Sequence, residues 1–194
     1  MAAAELEKYR ARMLAPTSRK DLEYMLDNRV KIVSYDELQD YKSFRELMDP
    51  YQAVIILYPN HNDPDIGHWV TCFIMPGSNI VQYFDSYGCY PDEPVGEFNE
   101  DAIHERKRIE PKLLELLIDS PYADNVYWNE TPFQSETIAT STCGLWCVFR
   151  LKNNHLTEDG FKKLYYDAPV NGGILPDLLV ATLTCELYPE IASK

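Results

Sequence analysis

Cys143 stands where a thiol can become a nucleophile. It is preceded by the short polar run Thr140-Ser141-Thr142 and followed by Gly144 and the apolar residues Leu145, Trp146, Cys147, Val148, Phe149 and Leu151. Side-chain oxygens in the polar run can cap a helix by accepting from its orphan backbone N–H groups. The apolar run predicts a buried central helix. A thiol in the first turn of such a helix lies at the positive end of its dipole, where the thiolate is favoured, more so beside a cation. The same residue also reads as a small core side chain, the usual place of a free cysteine. Its partners therefore matter. A thiol nucleophile needs a base, a group that orients the base, and donors for the oxyanion. His68 offers the imidazole, Asp85 the carboxylate and Gln134 a neutral amide. The backbone N–H of Cys143, unpaired at a helix start, is a second donor. Taken singly, His68 reads as a strand histidine and Asp85 as a turn residue beside Ser86 and Gly88. Together with Cys143 they read as catalysis.

Elements of the right kind exist to position them. Ala53–Tyr58 is an apolar run of strand length, closed by the polar stretch from Pro59 to Asp65. His68–Met75 and Ile80–Gly88 are β-rich and joined by Pro76-Gly77-Ser78-Asn79, a hairpin signal. Antiparallel pairing of these two strands brings His68 and Asp85 to one edge of the sheet. Asn125–Trp128 reads as a further short strand, and Thr131–Gln134 as a loop leading towards Cys143.

Helices are expected around this core. The spacing of Leu6, Tyr9 and Met13 predicts one over residues 2–14, and Thr17 or Ser18 caps a second with Leu22, Met25 and Leu26. These read as a helical scaffold at the amino end. Ser34 and Glu37 form a capping-box pattern opening a third short helix or turn. An acidic loop, 91–97, precedes a helix over 101–120 carrying Ile103, Leu114, Leu117 and Ile118, which Pro111 kinks or restarts. Thr157 begins another helix. The last is expected from Pro176 to Tyr188 through Leu178, Leu179, Ala181, Leu183 and Leu187, after a turn at Gly172-Gly173.

Gly67-His68-Trp69, Phe84-Asp85-Ser86-Tyr87-Gly88, Pro132-Phe133-Gln134 and Thr142-Cys143-Gly144-Leu145-Trp146 together resemble the adenovirus-type maturation proteases. Their clan includes the ubiquitin-like-protein-specific proteases. In flavour and size the chain looks most like the capsid-maturation proteases of virophages and Polinton (Maverick) elements. The resemblance runs from about His68 to Leu151, and the order of histidine before cysteine excludes papain-like enzymes. It implies an α+β fold, with a central mixed β-sheet flanked by helices and the nucleophile at the N-terminus of a buried central helix. It implies a His68–Asp85–Cys143 triad, with Gln134, somewhat further upstream of the cysteine than the family usually has it, as oxyanion donor. Trp69 is then a wall of the substrate cleft, or else a core aromatic. The implied activity is a cysteine endopeptidase that cuts viral capsid precursors at Gly-containing sites, in the virion and the virus factory of the host cytoplasm. A deconjugating or processing protease for ubiquitin-like modifiers shares the constellation, and so does a thiol acetyltransferase of the effector kind. Val170-Asn171-Gly172-Gly173-Ile174 resembles the family's cleavage sites, but a turn is the simpler reading.

Composition bounds these expectations. At 194 residues the chain reads as a single domain, with N-terminal helices in 1–50, a catalytic core in 51–155 and C-terminal helices in 156–194. Five scattered cysteines without a CxxC pair point to free thiols in a reducing compartment, with Cys72, Cys147 and Cys185 in the core and Cys89 in a loop. Residues 1–8 lack the apolar centre of a signal peptide, and no apolar run approaches membrane-spanning length. A soluble monomer without a cofactor is expected. A net charge of −13 argues against a broad nucleic-acid surface. His61 with Asp63 and Asp65 matches no metal-ligand spacing, and His104 and His155 read as surface.

Overall fold

Alternation with a period of two splits each central strand between two apolar cores. In the computed structural model, which describes residues 3–60, 63–93, 111–136 and 140–192, the fold is α+β: a five-stranded mixed sheet flanked by helices. Strands β1 (Lys31–Ser34), β2 (Ala53–Pro59), β3 (Gly67–Ile74), β4 (Val81–Asp85) and β5 (Val126–Trp128) lie side by side in chain order. The β2–β3 and β3–β4 pairs are antiparallel, and the two outer pairs are parallel. Ile55, Leu57, Trp69, Phe73 and Phe84 face one core; Val54, Ile56, Tyr58, Val70, Cys72 and Tyr83 face the other.

The first core contains α5 (Cys143–Lys152), as the apolar run predicts. Every residue from Cys143 to Leu151 is buried. Around it stand α1 (Ala3–Leu14), α2 (Arg19–Met25), the helical run α6 (Glu158–Asn171), which has a π-helical stretch at Lys163–Asp167, and α7 (Pro176–Leu187). The second core is closed by the 3₁₀ turn Tyr35–Asp40, α3 (Phe44–Met48) and α4 (Lys112–Ile118). The Ser34 N–H donates to the Glu37 carboxylate at 2.6 Å, so the expected capping-box pair opens that 3₁₀ turn.

Four features differ from the sequence reading. Strand β1 was not expected. Its four residues are too few to show a period, and its free edge is guarded by Arg19, which donates to the Ile32 carbonyl. The amino-terminal helices form no bundle of their own: α1 packs on α7, with Tyr9 Oη 2.6 Å from Glu186 Oε1, and α2 packs on α5. In α4 the buried residues are Leu113, Leu116 and Leu117, whereas Ile118 is exposed. In α7 Ala181 is buried and Leu178, Leu179 and Leu183 pack against the core as expected, but Leu187 is exposed and Asp177, Val180 and Thr184 are buried as well. The expected helical residues 101–110 with Ile103, part of the acidic loop, and His61 and His104 lie outside the described residues. His155 is exposed, Cys89 is half-buried, and Cys72, Cys147 and Cys185 are buried.

Candidate active site

The hairpin register does the first part of the assembly. Asp85 lies opposite Val70, so His68, two residues earlier on the same face of β3, is its diagonal neighbour. His68 Nε2 is 2.8 Å from Asp85 Oδ1, with both side chains buried. Gly67 lets β3 start this close to β2: a Cβ there would lie 1.9 Å from the Tyr58 carbonyl oxygen. The imidazole stacks on Tyr87 with ring centroids 4.9 Å apart, and the Tyr87 N–H donates to Asp85 Oδ1 at 2.7 Å. The loop after β4 thus pins both members of the pair.

Since Nε2 faces Asp85, Nδ1 is the nitrogen left for the Cys143 thiol, to which His68 is hydrogen-bonded. Burial pulls the His68 pKa down. The Asp85 charge, the hydrogen bond to Asp85 and the contact with Cys143 together outweigh it and lift the pKa to about 10. At neutral pH the imidazole therefore holds its proton against the sulfur.

Gln134 joins the same cleft. Phe133 and Gln134 both donate backbone N–H groups to the Ser86 carbonyl, at 2.8 and 2.9 Å, and the Ser86 hydroxyl donates to Gln134 Oε1 at 2.9 Å. With its oxygen held, the amide turns its donors the other way, where Nε2 reaches Thr140 O and Oγ1 at 3.1 Å each. An oxyanion is a stronger acceptor than either and would draw the amide from them.

Thr142 does not cap α5 through its side chain, as the sequence reading expected. Its hydroxyl donates to Asp177 instead, and the Cys143 N–H finds no acceptor among the described residues. A cleft of about 440 Å³ opens over these groups, lined by His68, Trp69, Tyr87, Gln134, Thr140 and Cys143 and on its far side by Pro16, Thr17, Ser18, Asp63 and Asp65. Trp69 has both expected characters. It lines the cleft, yet it is largely buried and donates its indole N–H to the Thr17 carbonyl at 2.9 Å.

The structure thus brings His68, Gln134 and Cys143 to one cleft, with Asp85 buried against His68, and adds residues that the sequence reading did not single out. Asn129 clamps Asp85 from both sides, accepting from its N–H at 3.0 Å and donating to its carbonyl at 2.6 Å. The stretch from Pro16 to Ser18 forms the opposite wall, and Asp177 stands behind the nucleophile turn. A lone asparagine after a short strand carries no sequence signal for such a clamp. No group of side chains suited to hold a metal ion occurs among the described residues.

No protein-family model matches the chain. Over 170 residues it is 34% identical to "Uncharacterized protein V9" of Sputnik virophage, an alignment that covers 86% of this chain and 93% of that protein. The relationship supports a virophage origin. No single helix among the described residues is long and apolar enough to cross a membrane.

Proposed function

The chain belongs to the family of the Sputnik virophage protein V9, and from its site we propose that it is a cysteine endopeptidase with an adenovirus-type protease fold. One observation carries the reading. His68, backed by the buried Asp85, the Cys143 thiol at a helix start and the Gln134 amide line one open cleft.

The chemistry follows from the groups. The Cys143 sulfur, its proton held by His68, attacks a peptide carbonyl carbon, and the carbonyl electrons move onto oxygen. The Cys143 N–H and the Gln134 amide stabilise that oxyanion. His68 then gives its proton to the departing amine as the C–N bond breaks, which leaves a thioester. Water, deprotonated by His68, attacks the thioester carbon, and collapse of the adduct breaks the C–S bond, freeing the acid and returning the thiolate beside protonated His68. Asp85 fixes the imidazole tautomer and supports its charge throughout.

The substrate class that fits a virophage relative is a capsid precursor, cut at Gly-containing sites during maturation in the virion and virus factory. Co-expression of the precursors with active enzyme or with Cys143→Ala tests this, with new termini mapped by mass spectrometry. Termini that appear only with the active enzyme are expected. Cleavage that persists with Cys143→Ala would overturn the proposal, and processing of a ubiquitin-like precursor alone would move the substrate to modifiers.

A further inference from the structure

The two oxyanion donors stand on different segments, Gln134 on the loop after β5 and the Cys143 N–H at the start of α5. Something that touches both segments must set their separation. Asp177, buried in the first turn of α7, does so. Its Oδ2 accepts from the Ser135 N–H at 2.8 Å, next to Gln134. Its Oδ1 accepts from the Thr142 hydroxyl, next to Cys143, and from Trp146 Nε1 at 3.0 Å, one turn into the nucleophile helix. Negative charge is favoured in the first turn of a helix, so the carboxylate is placed where it is tolerated. Both of its oxygens are used, and all three donors belong to the two segments that carry the oxyanion donors. The hydrogen bonds of the Asp177 carboxylate go to Ser135, Thr142 and Trp146, not to the Gln134 amide or the Cys143 sulfur.

We propose that Asp177 is a positioning residue that sets the spacing of the oxyanion donors through its bonds to Ser135 and Thr142; this rests on the acyl-transfer reading of the site. An asparagine there cannot accept at both ends, since its amide nitrogen would face either the Ser135 N–H or the Trp146 indole N–H, neither of which can accept. One segment is released. Misplacement of a reacting group by about 1 Å costs on the order of 10²-fold in rate. The His68–Asp85 pair, held by β3 and β4, is left in place.

The experiment compares wild type, Asp177→Asn and Thr142→Val in two reactions. Hydrolysis of p-nitrophenyl acetate needs the oxyanion donors, whereas alkylation of Cys143 by iodoacetamide needs only the activated sulfur. Expected is a kcat loss of about ten- to hundredfold in both variants with KM within about threefold, and alkylation rates within about threefold of wild type. Asp177→Asn should add little to the loss caused by Gln134→Ala, because both act on one donor pair. Unchanged kcat in Asp177→Asn overturns the inference. So does a parallel fall of hydrolysis and alkylation, which marks a general loss of structure. Wild type no faster than Cys143→Ala on the ester would instead remove the acyl-transfer reading, and the inference with it.

Discussion

Thr17 and Gly144 pack closely beside the cleft: a Cβ on Gly144 would lie 2.7 Å from Thr17 Cβ and 3.0 Å from its Cγ2. The second residue of the nucleophile helix therefore packs against the segment between α1 and α2. Thr17 is itself fixed, since Arg12 Nη2 donates to its Oγ1 and Trp69 to its carbonyl, both at 2.9 Å. Residues far away in sequence thus form one wall of the site and set how close the helix can come.

Gly144→Ala forces the helix start and that wall apart. Overpacking of this kind costs roughly 1–3 kcal/mol, and the displacement falls on the N–H next to the sulfur. A lowered melting temperature together with a lower kcat is expected. Thr17→Gly in the same chain should recover part of both, because it removes the opposing Cβ. Thermal unfolding and steady-state kinetics on the double variant measure the recovery.

The raised His68 pKa gives a pH prediction with a definite sign. The folded value, about 10, exceeds the ordinary 6.5. The stability contributed by the protonated ring is therefore fully present below about 6.5 and is lost as pH rises through about 10. Activity that needs the imidazolium should show its alkaline limb in the same range. Asp85→Asn removes the charge that holds the proton and leaves burial to oppose it. Its alkaline limb in kcat/KM should move to lower pH, whereas an unmoved limb would take Asp85 out of that role.

Gln134→Ala removes one of two oxyanion donors, and a loss of about 10²–10³ in kcat with little change in KM is expected. Ser86→Ala leaves the donor in place but frees its Oε1, which Ser86 holds at 2.9 Å. A smaller loss of the same kind should follow. An equal or larger effect of Ser86→Ala would mean that the loop conformation, set by the two N–H bonds to the Ser86 carbonyl, matters more than the amide.

Much of the site was legible because its parts are local. A hairpin signal places His68 and Asp85 at one edge, and an apolar run behind a Cys-Gly pair marks the start of α5. What was not legible depends on contacts between distant segments. Strand β1 exists because Lys31–Ser34 pairs in parallel with Val54–Leu57, and nothing in four residues announces that partner. The face of α7 was legible only in part. Ala181 is buried and Leu178, Leu179 and Leu183 pack against the core as their spacing predicts, but Leu187 is exposed and Asp177, which the spacing leaves outside, is buried. Three hydrogen bonds from Ser135, Thr142 and Trp146 rotate a carboxylate into the core, and hydropathy counts that residue as surface.

Asn129 offers the sharpest test of how the site is held. Its side chain accepts from the Asp85 N–H at 3.0 Å and donates to the Asp85 and Thr131 carbonyls at 2.6 and 3.0 Å. Asn129→Ala leaves those buried groups unsatisfied, at about 1–3 kcal/mol for each. Asn129→Asp keeps the acceptor but turns a carboxylate oxygen towards two carbonyl oxygens and adds a charge close to Asp85. When protonated, that carboxyl can still donate to one carbonyl; once ionised it repels both. Asn129→Asp should therefore be less stable at pH 8 than at pH 5 by a wider margin than Asn129→Ala, as read from unfolding midpoints at the two pH values. Equal pH dependence in the two variants would show that the amide's donor side does not hold Asp85.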